Sequence, residues 1–219
     1  MPKQFNLGIE KPADYSIDNF YVGEGEISPL EVVLKPKSWS NNILIISGDA
    51  GSGKTHLSHI YAEKFKVPLV DNNVLHFDML ENIAKSGCVI DDIENVDEQL
   101  LFHLINLAIE YNGNVVFTTS SKIMDMNIKL PDLKSRLLQA MIYVIPRPSD
   151  DGLRFVLLKN VMDRELNIKS NVMSYIIDRM PRSYKKVNDL VKLLDEESMA
   201  RSSEISTAFV RTILSENNL

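Results

Sequence analysis

The chain has 219 residues, a formal net charge of −6, 44% apolar and 25% charged residues, which suits one α/β domain with a small helical appendage and leaves two independent cores cramped. The acidic balance argues against broad electrostatic wrapping of nucleic acid, and the single cysteine, Cys88, rules out an intrachain disulfide. No apolar run approaches the roughly 20 residues that cross a bilayer, and MPKQFNLGIEKP lacks the features of a secretory signal, so no membrane association and a cytoplasmic location are expected.

Residues 1 to about 40 carry four prolines and Gly23 and Gly25 without periodicity, which predicts an irregular lead-in. From Asn41, NNILIISG reads as a strand buried on both faces and ended by Gly48. Leu57, Ile60, Tyr61 and Phe65 have helical spacing across 54–65, and VPLV at 67–70 reads as the next strand. A helix near 75–85, strand CVID at 88–91, a helix at 97–111 and strand VVFTT at 115–119 continue the alternation. A short helix near 132–139 and strand MIYVI at 141–145 complete it. The pattern predicts a parallel five-stranded sheet flanked by helices. Pro146 and Pro148 then stop the last strand, and Ser149 is placed to cap a helix. Helices near 150–164, 170–179, 183–200 and 206–215 form a small α-helical lid. The expected division is a flexible segment at 1–15, a nucleotide-binding α/β domain at 16–148 and the lid at 149–219.

GDAGSGKT, Gly48 to Thr55, fits G-x-x-x-x-G-K-[ST] between a strand and a helix. Gly48, Ala50, Gly51, Ser52 and Gly53 would curl the backbone so that its N–H groups face phosphate oxygens at a helix N-terminus. Lys54 would reach the β- and γ-phosphates of ATP or ADP, Thr55 would offer its hydroxyl to Mg²⁺, and His56 adjoins the site. CVIDD supplies the complementary acidic strand end: Asp91 for the Mg²⁺ shell, Asp92 to orient or deprotonate an attacking water. Ser120 or Thr119 is the candidate polar residue between the phosphates and the acidic pair. His56 and His59 lack a third ligand nearby in sequence and read as packing residues, and Cys88 as a small core residue. No arginine precedes Arg136, and Arg179, Arg182, Lys185 and Lys186 cluster late in the chain, as a solvated face or a phosphate contact.

These motifs resemble those of AAA+ ATPases, and among them the clade of the bacterial replication initiator DnaA and its truncated regulatory homologue Hda. DNFYVG at 18–23 is similar to the segment that packs against adenine, which implies base contacts from Phe20 and Val22. LKSRL at 133–137 resembles the serine-arginine segment and implies that Arg136 is an arginine finger, a role that works only at an interface with DnaA or with a second copy in a homo-oligomer. MPRSYKK at 180–186 resembles the lid motif, with Arg182, or Lys185, sensing phosphate. QFNLGI at 4–9 is similar to a clamp-binding peptide, which implies that Gln4, Phe5, Leu7 and Ile9 dock on the β subunit, the sliding clamp of DNA polymerase III. With the chain ending soon after the lid, the DNA-reading domain of DnaA is expected to be absent, and no sequence-specific DNA binding is expected. The resemblance implies a nucleotide-binding regulator that promotes ATP hydrolysis by DnaA, its own catalysis left open. The alternatives are an autonomous AAA+ ATPase that loads a helicase or remodels a complex, and a small-molecule P-loop kinase.

Overall fold

The computed structural model describes residues 15–21 and 28–217. Helix α1 (Pro29–Val33) precedes strand β1 (Ile43–Ser47), helix α2 (Lys54–Phe65) and strand β2 (Leu69–Val70). Helix α3 (Leu80–Ser86), strand β3 (Cys88–Ile90), helix α4 (Glu98–Tyr111), strand β4 (Val115–Thr119), helix α5 (Pro131–Gln139) and strand β5 (Met141–Val144) follow. The C-terminal part is all helical: α6 (Asp150–Asp163), α7 (Ser170–Ile177), α8 (Tyr184–Arg201) and α9 (Thr207–Glu216).

The five strands form one parallel sheet in the order β2-β3-β4-β1-β5. Strand alternation sends successive side chains to opposite faces. Val115 and Phe117 join Cys88 and Ile90 in a core shared with α3, α4 and α5. Val116 and Val89 face the opposite side, with Leu57 and Tyr61 of α2. Central β1 is buried along its whole length, as an uninterrupted apolar run requires. Ser149 caps α6 by accepting from the Gly152 amide at 3.1 Å, and α6 to α9 close around their own apolar core from Leu153 to Leu214.

Two stretches differ from the sequence reading. The lead-in contains α1, and Trp39 ties it down by donating its indole N–H to Val32 O at 2.8 Å and tilting against Tyr61. The helix expected near 75–85 is α3 alone, preceded by 3-10 turns at Asn72–Val74 and Phe77–Met79. Among the described residues no helix is long and apolar enough to cross a membrane.

Candidate nucleotide-binding site

The sheet order puts β4 between β1 and β3, so the P-loop after β1 and the acidic pair after β3 meet at the C-terminal edge of the sheet, across the end of β4. Open parallel sheets place ligands at this edge. Gly51 and Gly53 take left-handed φ values of 77° and 97°, which a side chain rarely tolerates. Both are also approached closely: a Cβ on Gly53 would lie 2.9 Å from the Phe20 ring, and one on Gly51 would lie 3.0 Å from the Lys185 backbone nitrogen. Lys54 is buried and donates Nζ–H to Gly48 O at 2.9 Å and Asp49 O at 3.3 Å. Ser52 Oγ is buried with no hydrogen-bond partner among the described residues, while Ala50 is exposed.

Thr55, in the first turn of α2, donates Oγ1–H to Asp91 Oδ2 at 2.8 Å. The other oxygen of Asp91 accepts a short hydrogen bond from Thr118, whose Oγ1 in turn accepts from the Asp92 amide at 2.9 Å. Asn72 donates Nδ2–H to the carbonyls of Asp91 and Asp92. Asp92 itself has φ 59°, an uncommon conformation of a kind that concentrates at functional sites. Burial, with Glu94 and Asp91 adding like charge, holds its carboxyl above the ordinary range against the opposing pull of Lys54.

Thr118 and Asn72 escaped the sequence reading. Ile90 pairs with Phe117, so the next residues along, Asp91 and Thr118, come level on the α2 face. Thr119 turns to the other face and donates to Glu94 at 2.7 Å. Ser120 carries an exposed side chain, and it is the Ser120 amide that is engaged, donating to Glu94 at 2.6 Å. The polar side chain that reaches the acidic pair from β4 is therefore Thr118, where the sequence alone points to Ser120 or Thr119. Burial opposes ionisation of Glu94, but hydrogen bonds from Thr119 and from the amides of Glu94, Ser120 and Ser121 hold its carboxyl below the usual range.

The strap at residues 15–21 crosses α2. His56 is buried, its Nε2 lies 2.8 Å from Ser16 O, and Tyr15 stacks on His59 at 3.9 Å. Phe20 meets His56 edge-on. Strap, P-loop and lid enclose a cavity of about 220 Å³, lined by Phe20, Tyr21, Gly51, His56, Phe155 and Asn188 among others. In the lid, Arg182 is exposed and paired with Asp150 at 3.1 Å; the backbone of Lys185 lies against Gly51. Arg136 lies in the last turn of α5, partly exposed, and makes no hydrogen bond or ion pair with a described residue. Val22, Gln4, Phe5, Leu7 and Ile9 lie outside the described residues. Cys88 is fully buried, and burial pushes its thiol up to about 12, which leaves it unreactive.

The donor set fits a magnesium nucleotide. Among the described residues no group of three or more His, Cys, Asp or Glu could hold a metal by itself. One hydroxyl and one carboxylate already in contact are what Mg²⁺ takes from protein when phosphate oxygens and water complete its shell.

Residues 150–214 match the family model described as the Hda lid domain. The chain is 28% identical to an uncharacterized protein of Haemophilus influenzae, over 98% of this chain and 99% of that one. It is 25% identical to the chromosomal replication initiator protein DnaA of Flavobacterium psychrophilum, over 95% of this chain but only 50% of the initiator. Domain III of DnaA from Thermotoga maritima superposes with a TM-score of 0.78 at 17% identity, covering 94% of this chain and 97% of that one. AMPPCP-bound DnaA from Aquifex aeolicus does so with 0.66 at 17% identity, covering 89% and 70%. At these identities the structural likeness carries the fold, and it is the parallel-sheet fold built here. In its lid and its sequence the chain is similar to the DnaA and Hda type of AAA+ protein, and it shares the fold of DnaA domain III.

Proposed function

We propose that this chain is an adenine-nucleotide-binding regulator of replication initiation. In this reading it holds ATP or ADP with Mg²⁺, docks on the sliding clamp through Gln4, Phe5, Leu7 and Ile9, and promotes ATP hydrolysis by DnaA through Arg136. The observation that carries nucleotide binding is the Thr55 to Asp91 hydrogen bond at 2.8 Å beside a buried Lys54. When bound, the magnesium nucleotide supplies the anionic phosphates and the hard cation that these groups are chosen to meet.

Each residue then has a definite task. Lys54 exchanges the loop carbonyls of Gly48 and Asp49 for phosphate oxygens, and Thr55 and Asp91 hold the cation. Thr118 keeps Asp91 oriented, and Phe20 and Val22 flank the base. Arg182 is engaged by Asp150, so the lid cation in this reading is Lys185. Arg136 finds no carboxylate on its own chain among the described residues, which supports a role in trans, where an arginine stabilises charge developing in another subunit's site. Such a role belongs in the cytoplasm, and DnaA is its target rather than DNA.

The test is capture of purified clamp and purified DnaA in ATP and in ADP. Gln4→Ala is expected to weaken clamp capture. Arg136→Ala should abolish stimulation of DnaA while nucleotide binding stays intact. Clamp capture that is indifferent to Gln4→Ala would remove the peptide assignment. The complete set of Lys54, Thr55, Asp91 and Asp92 also suits an autonomous ATPase that loads or remodels, and steady-state turnover without clamp affinity would favour that reading.

A further inference from the structure

Two asparagines in the cavity between P-loop and lid fix each other's orientation. Asn160, on α6, donates Nδ2–H to Val156 O at 2.8 Å and to Asn188 Oδ1, on α8, at 2.9 Å. A backbone carbonyl only accepts, so Val156 determines which atom of the Asn160 amide is the nitrogen. The second N–H of Asn160 must then meet an acceptor, which turns the carbonyl oxygen of Asn188 toward α6 and its NH₂ group away. That group faces the P-loop: a Cβ on Gly51 would lie 3.1 Å from Asn188 Nδ2. Among the described residues Asn188 Nδ2 donates to nothing. Lys185 sits three residues earlier on α8, hence on the same helix face, and its backbone lies against the same glycine.

We propose that Asn188 is a nucleotide-binding residue of the lid, donating its oriented N–H to the phosphate chain of a nucleoside polyphosphate at Gly51, with Asn160 as its positioning residue. The inference rests on the reading of this cavity as a nucleotide site. It adds a neutral, directional donor to the lid cation of that reading. A hydrogen bond to an ionised phosphate oxygen is stronger than one between neutral groups, and an amide needs no counter-ion when the site is open.

The experiment is displacement of a fluorescent ATP analogue by ATP and by adenosine. Asn188→Ala is expected to weaken ATP roughly tenfold, the loss of about one hydrogen bond to a charged group, and to leave adenosine unchanged. Asn188→Asp keeps the shape and presents only acceptors, so ATP should weaken further. Asn160→Asp draws the Asn188 NH₂ toward α6 and turns its oxygen to the loop. ATP affinity should fall there too, and the Asn160→Asp/Asn188→Ala double variant should be no worse than Asn188→Ala alone. Melting temperatures report the integrity of the lid. ATP affinities equal to wild type, equal losses for ATP and adenosine, or additive losses in the double variant would overturn the proposal while leaving the nucleotide site standing. A wild-type chain that binds no ATP would overturn both.

Discussion

Asp92 concentrates the tension of the site in one residue. Its backbone is left-handed, a region that asparagine enters as readily as aspartate. Its carboxyl is disfavoured by burial and by its neighbours Glu94 and Asp91. Asp92→Asn therefore keeps the backbone and the Thr118 bond to the main-chain amide, and removes a charge that the fold does not favour. The side chain is still largely open to solvent, so the gain should be small, up to about 0.5 kcal/mol. Any phosphate release by the chain itself should fall to background if Asp92 orients the attacking water. Denaturant midpoints and steady-state phosphate release measure the two effects, and a destabilised variant would mean that the carboxylate is structurally required.

Among the elements, α3 and α4 meet where no side chain fits. A Cβ on Gly113, just after α4, would lie 1.6 Å from the carbonyl oxygen of Ala84 in α3. Gly113→Ala must push one helix off the other, and the expected cost is about 3 kcal/mol, read as a lowered denaturant midpoint. The role of this glycine lies in a contact between helices far apart in sequence, which no local pattern reveals. The same limit explains Thr118, whose meeting with Asp91 depends on the register of β3 against β4, and Arg182, whose carboxylate partner lies 32 residues away. What depends on local chemistry was legible. The P-loop, the strand at 115–119 and helices α2 and α4 follow from periodicity and end signals, such as Asp97 accepting from the Gln99 and Leu100 amides. The segment after β2 is local too, but there Asp71 accepts from the Asn73 amide at 2.8 Å, and side-chain capture of the backbone competes with helix. Helix α1 is only five residues long, too short to show a period.

At the scale of the whole molecule, the sheet and the lid have separate apolar cores and, among the described residues, meet in contacts around the cavity. Lys159 of α6 donates to Asn19 O at 3.1 Å, Tyr21 packs against Phe155 at 5.2 Å, and Lys185 rests on Gly51. A ligand held between P-loop and lid bridges both cores, so its binding free energy must appear as stability of their common folded state. ATP or ADP with Mg²⁺ at about 100 times its dissociation constant should add about 2.7 kcal/mol, visible as a higher melting temperature. Lys54→Ala should abolish the shift, because in the proposed site this buried ammonium is the charge that would oppose the phosphates. Removing Mg²⁺ with a chelator should shrink the shift for ATP more than for adenosine, as the role proposed for Thr55 and Asp91 at the cation requires. A shift of equal size with and without Lys54 would place the ligand away from the P-loop, and the strap contacts would then join the two cores without reporting what lies between them.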